Sequence, residues 1–315
     1  MTEVYVDSLC FALGDVARTV EESASCGATF SGAAELREAG FTAHHVCAGA
    51  TTAYDLAARA VASLNLAGVD AIIYATCLPG NGSIDDTATY QRTRDVKHLM
   101  RYPASRLQSE LGLDRAIVIG LNQQACTGML GGLRLARSLL LSEPDFERIL
   151  CVTADRFPPG ARYEQAYNLI SDGAAGCVVS RTPGRFRLLT THQITNGAMV
   201  EVSDDEVVGS YFGYTSRLVE QTLARARWSA HDVDWVVPQN TNPKAWQILT
   251  RLLGLDRARV HQATLSDVAH VISGDNIVNL ADLIASGGCS AGDRLLLVMA
   301  GYGMNWQATA LEACG

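Results

Sequence analysis

The chain has 315 residues, 48% of them hydrophobic and 18% charged, with a net charge of −8. Its length suits one large α/β unit or two fused halves, and its apolar content excludes a disordered or fibrous chain. The negative charge makes nucleic acid an unfavourable partner. The opening Met1-Thr2-Glu3-Val4 has no basic patch followed by a long apolar run, so neither a signal peptide nor a membrane span is expected. Residues 51–66 carry apolar side chains at helical spacing (Leu56, Ala60, Leu64), with Thr51 or Thr52 as N-cap. Residues 69–77 form a nearly continuous apolar strand, the pattern of a parallel strand covered on both faces. Residues 85–97 hold six charges and no strong apolar period, and read as a flexible lid or an exposed connection. A strand at 115–120, a helix at 126–141 and strands at 148–154 and 174–180 follow.

The second half repeats this order. Residues 200–213, with the acidic cluster Glu201, Asp204, Asp205 and Glu206, read as a solvated loop or hairpin. A helix at 216–228, strands at 234–238 and 258–263, a helix at 276–286 and a strand at 293–300 come next. Asp234-Trp235-Val236-Val237-Pro238 parallels Asp70-Ala71-Ile72-Ile73-Tyr74, and the boundary between halves falls at 180–184. The expected division is 1–180, carrying a candidate nucleophile, and 181–315, carrying its partners.

Two local patterns point to chemistry. Asn122-Gln123-Gln124-Ala125-Cys126-Thr127-Gly128 sits between an apolar strand and an apolar helix. A thiol at such a turn gains from the free N–H groups and positive dipole end of the helix. Ala269-His270-Val271-Ile272-Ser273-Gly274-Asp275 supplies an imidazole with a carboxylate five residues on. That spacing does not share a helical face. The Ser273-Gly274 turn lets Asp275 fold back toward His270; alternatively Asp275 is only the N-cap of the next helix. Under the parallel order both turns meet in one cleft, which makes Cys126, His270 and Asp275 a candidate acyl-transfer set. The nine cysteines are scattered without a Cys-x-x-Cys pair, and several, such as Cys77, Cys151 and Cys177, lie in apolar runs. They read as reduced thiols of a cytoplasmic protein, and no metal site is expected. His44-His45 is a candidate for the pocket entrance.

Five segments in order resemble the thiolase superfamily, and within it ketosynthase III. They are Ser105-Arg106-Leu107-Gln108 ahead of Leu111-Gly112-Leu113, Ala125-Cys126-Thr127-Gly128, Asp172-Gly173-Ala174-Ala175, Val237-Pro238-Gln239-Asn240-Thr241-Asn242 and Gly301-Tyr302-Gly303. The resemblance implies an α/β thiolase fold, two pseudo-duplicated βαβαβαββ halves in a five-layer αβαβα sandwich. Gln239 stands where decarboxylating members carry His, and His270 falls where they carry Asn. This resembles the acyltransferase branch with an Ala-His-x-x-x-x-Asp motif, which moves malonyl or methylsalicylyl groups in antibiotic pathways.

The resemblance implies transfer from an acyl carrier protein or coenzyme A through Cys126 to an alcohol or amine acceptor. Gln239 cannot act as acid or base, which argues against decarboxylation. The backbone N–H groups of Cys126 and Tyr302 would form the oxyanion hole. Gln239 and Asn242 would bind substrate, Asn242 on the pantetheine arm, and Lys244 and Arg251 would receive the acidic carrier protein. No cofactor is expected, since phosphopantetheine arrives with the donor, and a homodimer is expected with 85–97 near its interface. A starter-unit ketosynthase that forms a C–C bond and a non-catalytic partner subunit are the alternatives.

Overall fold

The computed structural model describes residues 2–84, 87–165, 168–302 and 304–314. Nine strands form the main sheet: β1 (Tyr5–Leu13), β2 (Ala71–Ala75), β3 (Ile117–Leu121), β4 (Arg148–Asp155), β5 (Gly173–Ser180), β6 (Phe186–Thr195), β7 (Trp235–Pro238), β8 (Arg294–Gly301) and β9 (Asn305–Ala313). Among the described residues, the helices of eight or more residues are α1 (Ala53–Val61), α2 (Pro103–Glu110), α3 (Gly128–Ser142), α4 (Asp204–Ala226), α5 (Pro243–Leu253) and α6 (Asp275–Ala285).

The sheet order is β7-β8-β9-β6-β1-β5-β4-β2-β3. Five strands belong to the first half and four to the second, joined where Tyr5 and Val6 of β1 pair with Arg187 and Phe186 of β6. Alternation along the strands sorts side chains into three cores. Ile72 and Tyr74 of β2 face α1 and α2, whereas Ala71 and Ile73 face α3. In β8, Leu295 and Leu297 join the central core with Ile277 and Leu280 of α6, whereas Leu296 and Val298 pack on Leu218 of α4 and Trp246 of α5. Period-two strands buried on both faces therefore build helix, sheet, helix, sheet and helix layers. α3 and α6 form the middle layer, touching strands of both halves.

Several expectations change in the structure. The helix expected at 51–66 is shorter: Thr52 caps it through Asp55 N, but it closes at Val61, where Leu64 N donates to the Val61 carbonyl. Residues 200–213 are no loop. Ser203 and Glu206 form a capping box that starts the 23-residue α4, so the acidic stretch opens a helix. The strand expected at 258–263 shrinks to one bridge, Val260 to Val236. Asp256 caps a tight turn at Arg257–Arg259 and diverts the backbone from the ladder. The described part of 85–97 is helical and exposed, over Thr87–Thr93 and Val96–Leu99; Asp85 and Asp86 lie outside the described residues. All nine cysteines are free thiols. Among the described residues no helix is long and apolar enough to cross a membrane.

Candidate active site

β3 delivers the chain to a tight turn, Ala125–Thr127, that runs into α3. Thr127 locks it by donating from N and Oγ1 to the Gln124 carbonyl, at 3.0 and 2.6 Å. The Gln124 side chain is fixed in turn by Gln307 Nε2 at 2.7 Å. Cys126, 9% exposed, sits in this turn at the floor of a cleft of about 300 Å³.

His270 is set by different elements. Its N–H donates to Leu169 O at 3.0 Å and its carbonyl accepts from Ser171 N at 2.8 Å, so it forms a parallel bridge with Ile170. His270 Nδ1 donates to Asp275 Oδ2 at 2.5 Å, and His270 Nε2 lies 3.4 Å from Cys126 Sγ. Asp275 is the first residue of α6, behind the N-cap Gly274, and it is fully buried. Its carboxylate does not cap its own helix. It turns back to accept Val271 N and Asn240 N, both at 2.6 Å. The two chemical turns interlock where Ser273 Oγ donates to the Ala125 carbonyl at 2.9 Å.

These contacts set the electrostatics. A hydrogen bond from Cys77 and the charge of His270 hold the Cys126 thiol well below its ordinary value, against the effect of burial. Burial pushes the His270 imidazole down, but the Asp275 carboxylate and the Cys126 sulfur outweigh it and raise it well above its usual value. Both shifts favour a thiolate facing an imidazolium.

The other expected site residues divide. Gln239 lines the cleft, and its Oε1 accepts from Ala300 N at 2.5 Å, which leaves the amide N–H₂ as its free face. Asn242 lines the cleft too, while its side chain caps α5 at Lys244 N, 3.0 Å away. Lys244 lies at the mouth in an exposed ion pair with Glu38 at 2.9 Å. Arg251 is exposed on the last turn of α5, and the cleft lining does not include it. Tyr302 lines the cleft at the β8–β9 hairpin, and Gly303 lies outside the described residues. A Cβ on Gly301 would stand 2.9 Å from Cys126 N, so this hairpin backbone presses on the Cys126 turn.

His44 and His45 do not line the cleft. His44 is buried between Ser23 Oγ at 2.7 Å and the Ile170 carbonyl at 2.6 Å. Two contributors escaped the sequence reading. Asn240 joins the Asp275 shell, and its Nδ2 also donates to Ala269 O and Thr264 Oγ1, both at 2.9 Å. Cys77, whose backbone N–H donates to Asp155, packs into the core that holds Cys126. The Val-Pro-Gln-Asn-Thr-Asn stretch contains Asn240 but gave no sign of its partner, and nothing local in the sequence pairs Cys77 with Cys126.

Comparison with known proteins bears on the whole chain. Residues 122–197 match the family model described as 3-oxoacyl-[acyl-carrier-protein] synthase III, and residues 223–313 match that for its C-terminal part. The beta-ketoacyl-[acyl-carrier-protein] synthase III of Chlamydia caviae is 26% identical over 217 residues, a match covering 60% of this chain and 64% of that protein. Among solved structures, the acyltransferase ChlB3 superposes with a TM-score of 0.83 at 20% identity, covering 99% of this chain and 98% of its own. The 3-oxoacyl-(acyl carrier protein) synthase III of Pseudomonas aeruginosa PAO1 gives 0.81 at 23% identity, covering 99% of each chain. With both parts of the family matched in order and its fold reproduced end to end, the chain belongs to the ketosynthase III-like family of the thiolase superfamily.

Proposed function

We propose that the protein is an acyltransferase. It takes an acyl group from a carrier-protein or coenzyme A thioester onto Cys126 and passes it, without decarboxylation, to an alcohol or amine in secondary-metabolite, including antibiotic, biosynthesis. The observation that carries this reading is one line of contacts: Cys126 Sγ to His270 Nε2 at 3.4 Å, and His270 Nδ1 to Asp275 Oδ2 at 2.5 Å.

The protons balance along that line. The Cys126 thiolate attacks the thioester carbonyl, the donor C–S bond breaks, and the imidazolium gives its Nε2 proton to the departing thiolate. His270 is then neutral, with its remaining proton held on Nδ1 by Asp275. Nε2 thus faces the acyl-cysteine as an acceptor. It removes the proton from the attacking hydroxyl or amine, and breakage of the Cys126 C–S bond restores thiolate and imidazolium. Decarboxylative condensation makes the opposite demand. An enolate oxygen needs donors, and after loading Nε2 offers a lone pair, leaving only the Gln239 amide N–H. The backbone N–H groups of Cys126 and Tyr302 are the proposed oxyanion hole.

The partners belong to the same proposal. Lys244 and Arg251 would receive an acidic carrier protein, and Asn242 the pantetheine arm. β3 is an edge strand with Ile117 49% and Val118 37% exposed, and this unpaired apolar edge supports a homodimer. Nine free thiols support a reducing, cytoplasmic setting.

The test offers acyl thioesters, including malonyl carrier protein, and follows the mass of the Cys126 peptide. Loading is expected in the native protein and absent in Cys126→Ala. His270→Ala should slow transfer to the acceptor more than it slows loading. Carbon dioxide release from the malonyl donor would favour the starter-unit synthase instead, and no label on Cys126 from any donor would favour a non-catalytic partner subunit.

A further inference from the structure

We infer that Asn240, Thr264 and Asn279 are positioning residues for the His270–Asp275 pair: they form a closed circuit of hydrogen bonds that fixes the carboxylate oxygen holding the imidazole. The inference rests on the reading of His270 as the base that serves Cys126. It starts from the register of α6. Asp275 opens the helix and Asn279 lies one turn on, so both project from one face. Both are fully buried, as is Asn240 just beyond the end of β7. The cleft lining includes Gln239, Thr241 and His270 but none of the three circuit residues, so these stand behind the site and not in it.

Asn240 Nδ2 donates to Thr264 Oγ1 at 2.9 Å, Thr264 Oγ1 donates to Asn279 Oδ1 at 2.6 Å, and Asn279 Nδ2 donates to Asn240 Oδ1 at 2.9 Å. Every bond runs the same way round. The second proton of each amide is also placed: Asn240 donates to Ala269 O at 2.9 Å and Asn279 to Pro238 O at 3.0 Å. Both amides thus have each N–H and the carbonyl paired, and flipping either one would set like against like. Asn276, next to Asp275, adds an anchor. Its Nδ2 donates to Val237 O at 2.7 Å and Val298 O at 3.2 Å, which ties α6 to β7 and β8.

The circuit meets the reacting pair at two points. Asn240 N and His270 Nδ1 donate to the same oxygen, Asp275 Oδ2, at 2.6 and 2.5 Å. The place of Asn240 therefore sets where that oxygen sits. Its Nδ2 also holds the carbonyl of Ala269, the residue before His270, whose φ is 58°. One residue thus fixes both the acceptor and the backbone that carries the donor. A fully satisfied buried network keeps such geometry rigid, whereas a broken one leaves unpaired groups that must rearrange. A carboxylate aligned on Nδ1–H stabilises the imidazolium, and the imidazolium stabilises the Cys126 thiolate. The ionisable groups bearing on Cys126 are Cys77 and Asp155 from the first half, and His270 and Asp275 from the second. Of these, Asp275 alone accepts a hydrogen bond from a circuit residue. Loosening it should weaken the imidazolium and raise the pH at which Cys126 ionises.

The test is the pH profile of Cys126 alkylation by iodoacetamide, read from the Cys126 peptide alone. Thr264→Val opens the circuit at a half-buried position, and Asn279→Ala opens it in the core. Each is expected to raise the midpoint by about half a unit or more, the size of one lost hydrogen bond. Thr264→Ser, which keeps the hydroxyl, should hold the native value. The double variant should shift the midpoint no further than the larger single shift, because one circuit opens only once. A ring of bonds that served stability alone would lower the melting temperature and leave the profile in place. Midpoints within about 0.2 units of native in folded Thr264→Val and Asn279→Ala overturn the proposal. So do additive shifts in the double variant, or a Thr264→Ser shift as large as that of Thr264→Val. Should Asn279→Ala fail to fold, the Thr264 pair decides alone. Alkylation needs neither acyl donor nor acceptor. A protein whose midpoints move as expected but never loads defeats the acyltransferase reading alone, and unmoved midpoints in a protein that loads defeat the role of the circuit alone.

Discussion

Replacing Asp275 by Asn tests the proposed site at its most buried point. The substitution keeps shape and removes one charge. The native carboxylate accepts three N–H groups, from His270, Val271 and Asn240, at 2.5 to 2.6 Å. An amide has one acceptor oxygen, so its N–H₂ must face at least one of these donors. If it faces Val271 N, a buried backbone donor is orphaned, at a cost of about 1–3 kcal/mol in stability. If it faces His270 Nδ1, the ring adopts the other tautomer and turns an N–H, rather than a lone pair, toward Cys126 after loading.

The rate effect follows from the same geometry. Losing a charge-assisted bond to the imidazolium removes about 1.5–3 kcal/mol, or roughly 10- to 150-fold at 1.36 kcal/mol per decade. The wrong tautomer adds to that, and the same change in a Ser-His-Asp triad costs about 10⁴. Acyl transfer should therefore fall by about 10²- to 10⁴-fold. The pH dependence has a definite sign. The Asp275 charge raises His270, and the charged His270 lowers Cys126 by more than the carboxylate itself raises it, so thiolate persists as pH falls until the depressed thiol value is reached. Without that charge, burial neutralises the imidazole, and Cys126 needs a higher pH to ionise. Single-turnover transfer and the alkylation profile of Cys126 measure both effects, with thermal unfolding as the control. Transfer within about threefold of native, together with an unmoved profile in folded protein, refutes the reasoning.

Three further substitutions probe other layers. Gly301→Ala places a methyl 2.9 Å from Cys126 N and 3.1 Å from Gln124 O, both backbone atoms, so the hairpin must move; loading of Cys126, followed by peptide mass, should slow at least about tenfold. Arg251→Glu, exposed and outside the cleft lining, should weaken loading from a carrier protein several-fold at low salt while leaving loading from a small pantetheine thioester unchanged. Trp246→Ala empties a fully buried position on α5, packed against α4 and β8, and should cost about 3–5 kcal/mol in urea unfolding.

The parts of this molecule legible in the sequence are those that local chemistry dictates. The doubly apolar runs of β2, β4 and β8 announce strands buried on both faces, and the structure divides their alternate residues between two cores. Cys126 is visible because a thiol at a strand-to-helix turn is unusual, and His270 with Asp275 because the spacing forces a turn. The first half of α4 was missed because its acidic residues outweighed a capping signal that needs only Ser203 and Glu206. The missing strand near Val260 depended on Asp256, four residues before it at the start of the turn, capturing the backbone. Cys77 was read as one buried thiol among several, because its 49-residue separation from Cys126 in sequence carries no trace of the core they share.

The two chemical turns share a further property, and it explains why their contacts can be trusted to survive substitution. Gln123 and Ala125, just before Cys126, have φ of 64° and 46°. Ala269, just before His270, has φ 58° with ψ −158°, and the β-branched Ile272 has φ 49°. Such conformations cost on the order of 1–3 kcal/mol each and persist only where the surroundings over-determine them. Here the determinants are side chains outside the reacting trio: Thr127 and Gln307 on the first turn, Asn240 on the second, and Ser273 between them. An attraction between Cys126 and His270 worth a few kcal/mol would not by itself hold four such residues. The separation of 3.4 Å is thus imposed by the scaffold, so changing Cys126 or His270 should remove a function and leave the backbone in place.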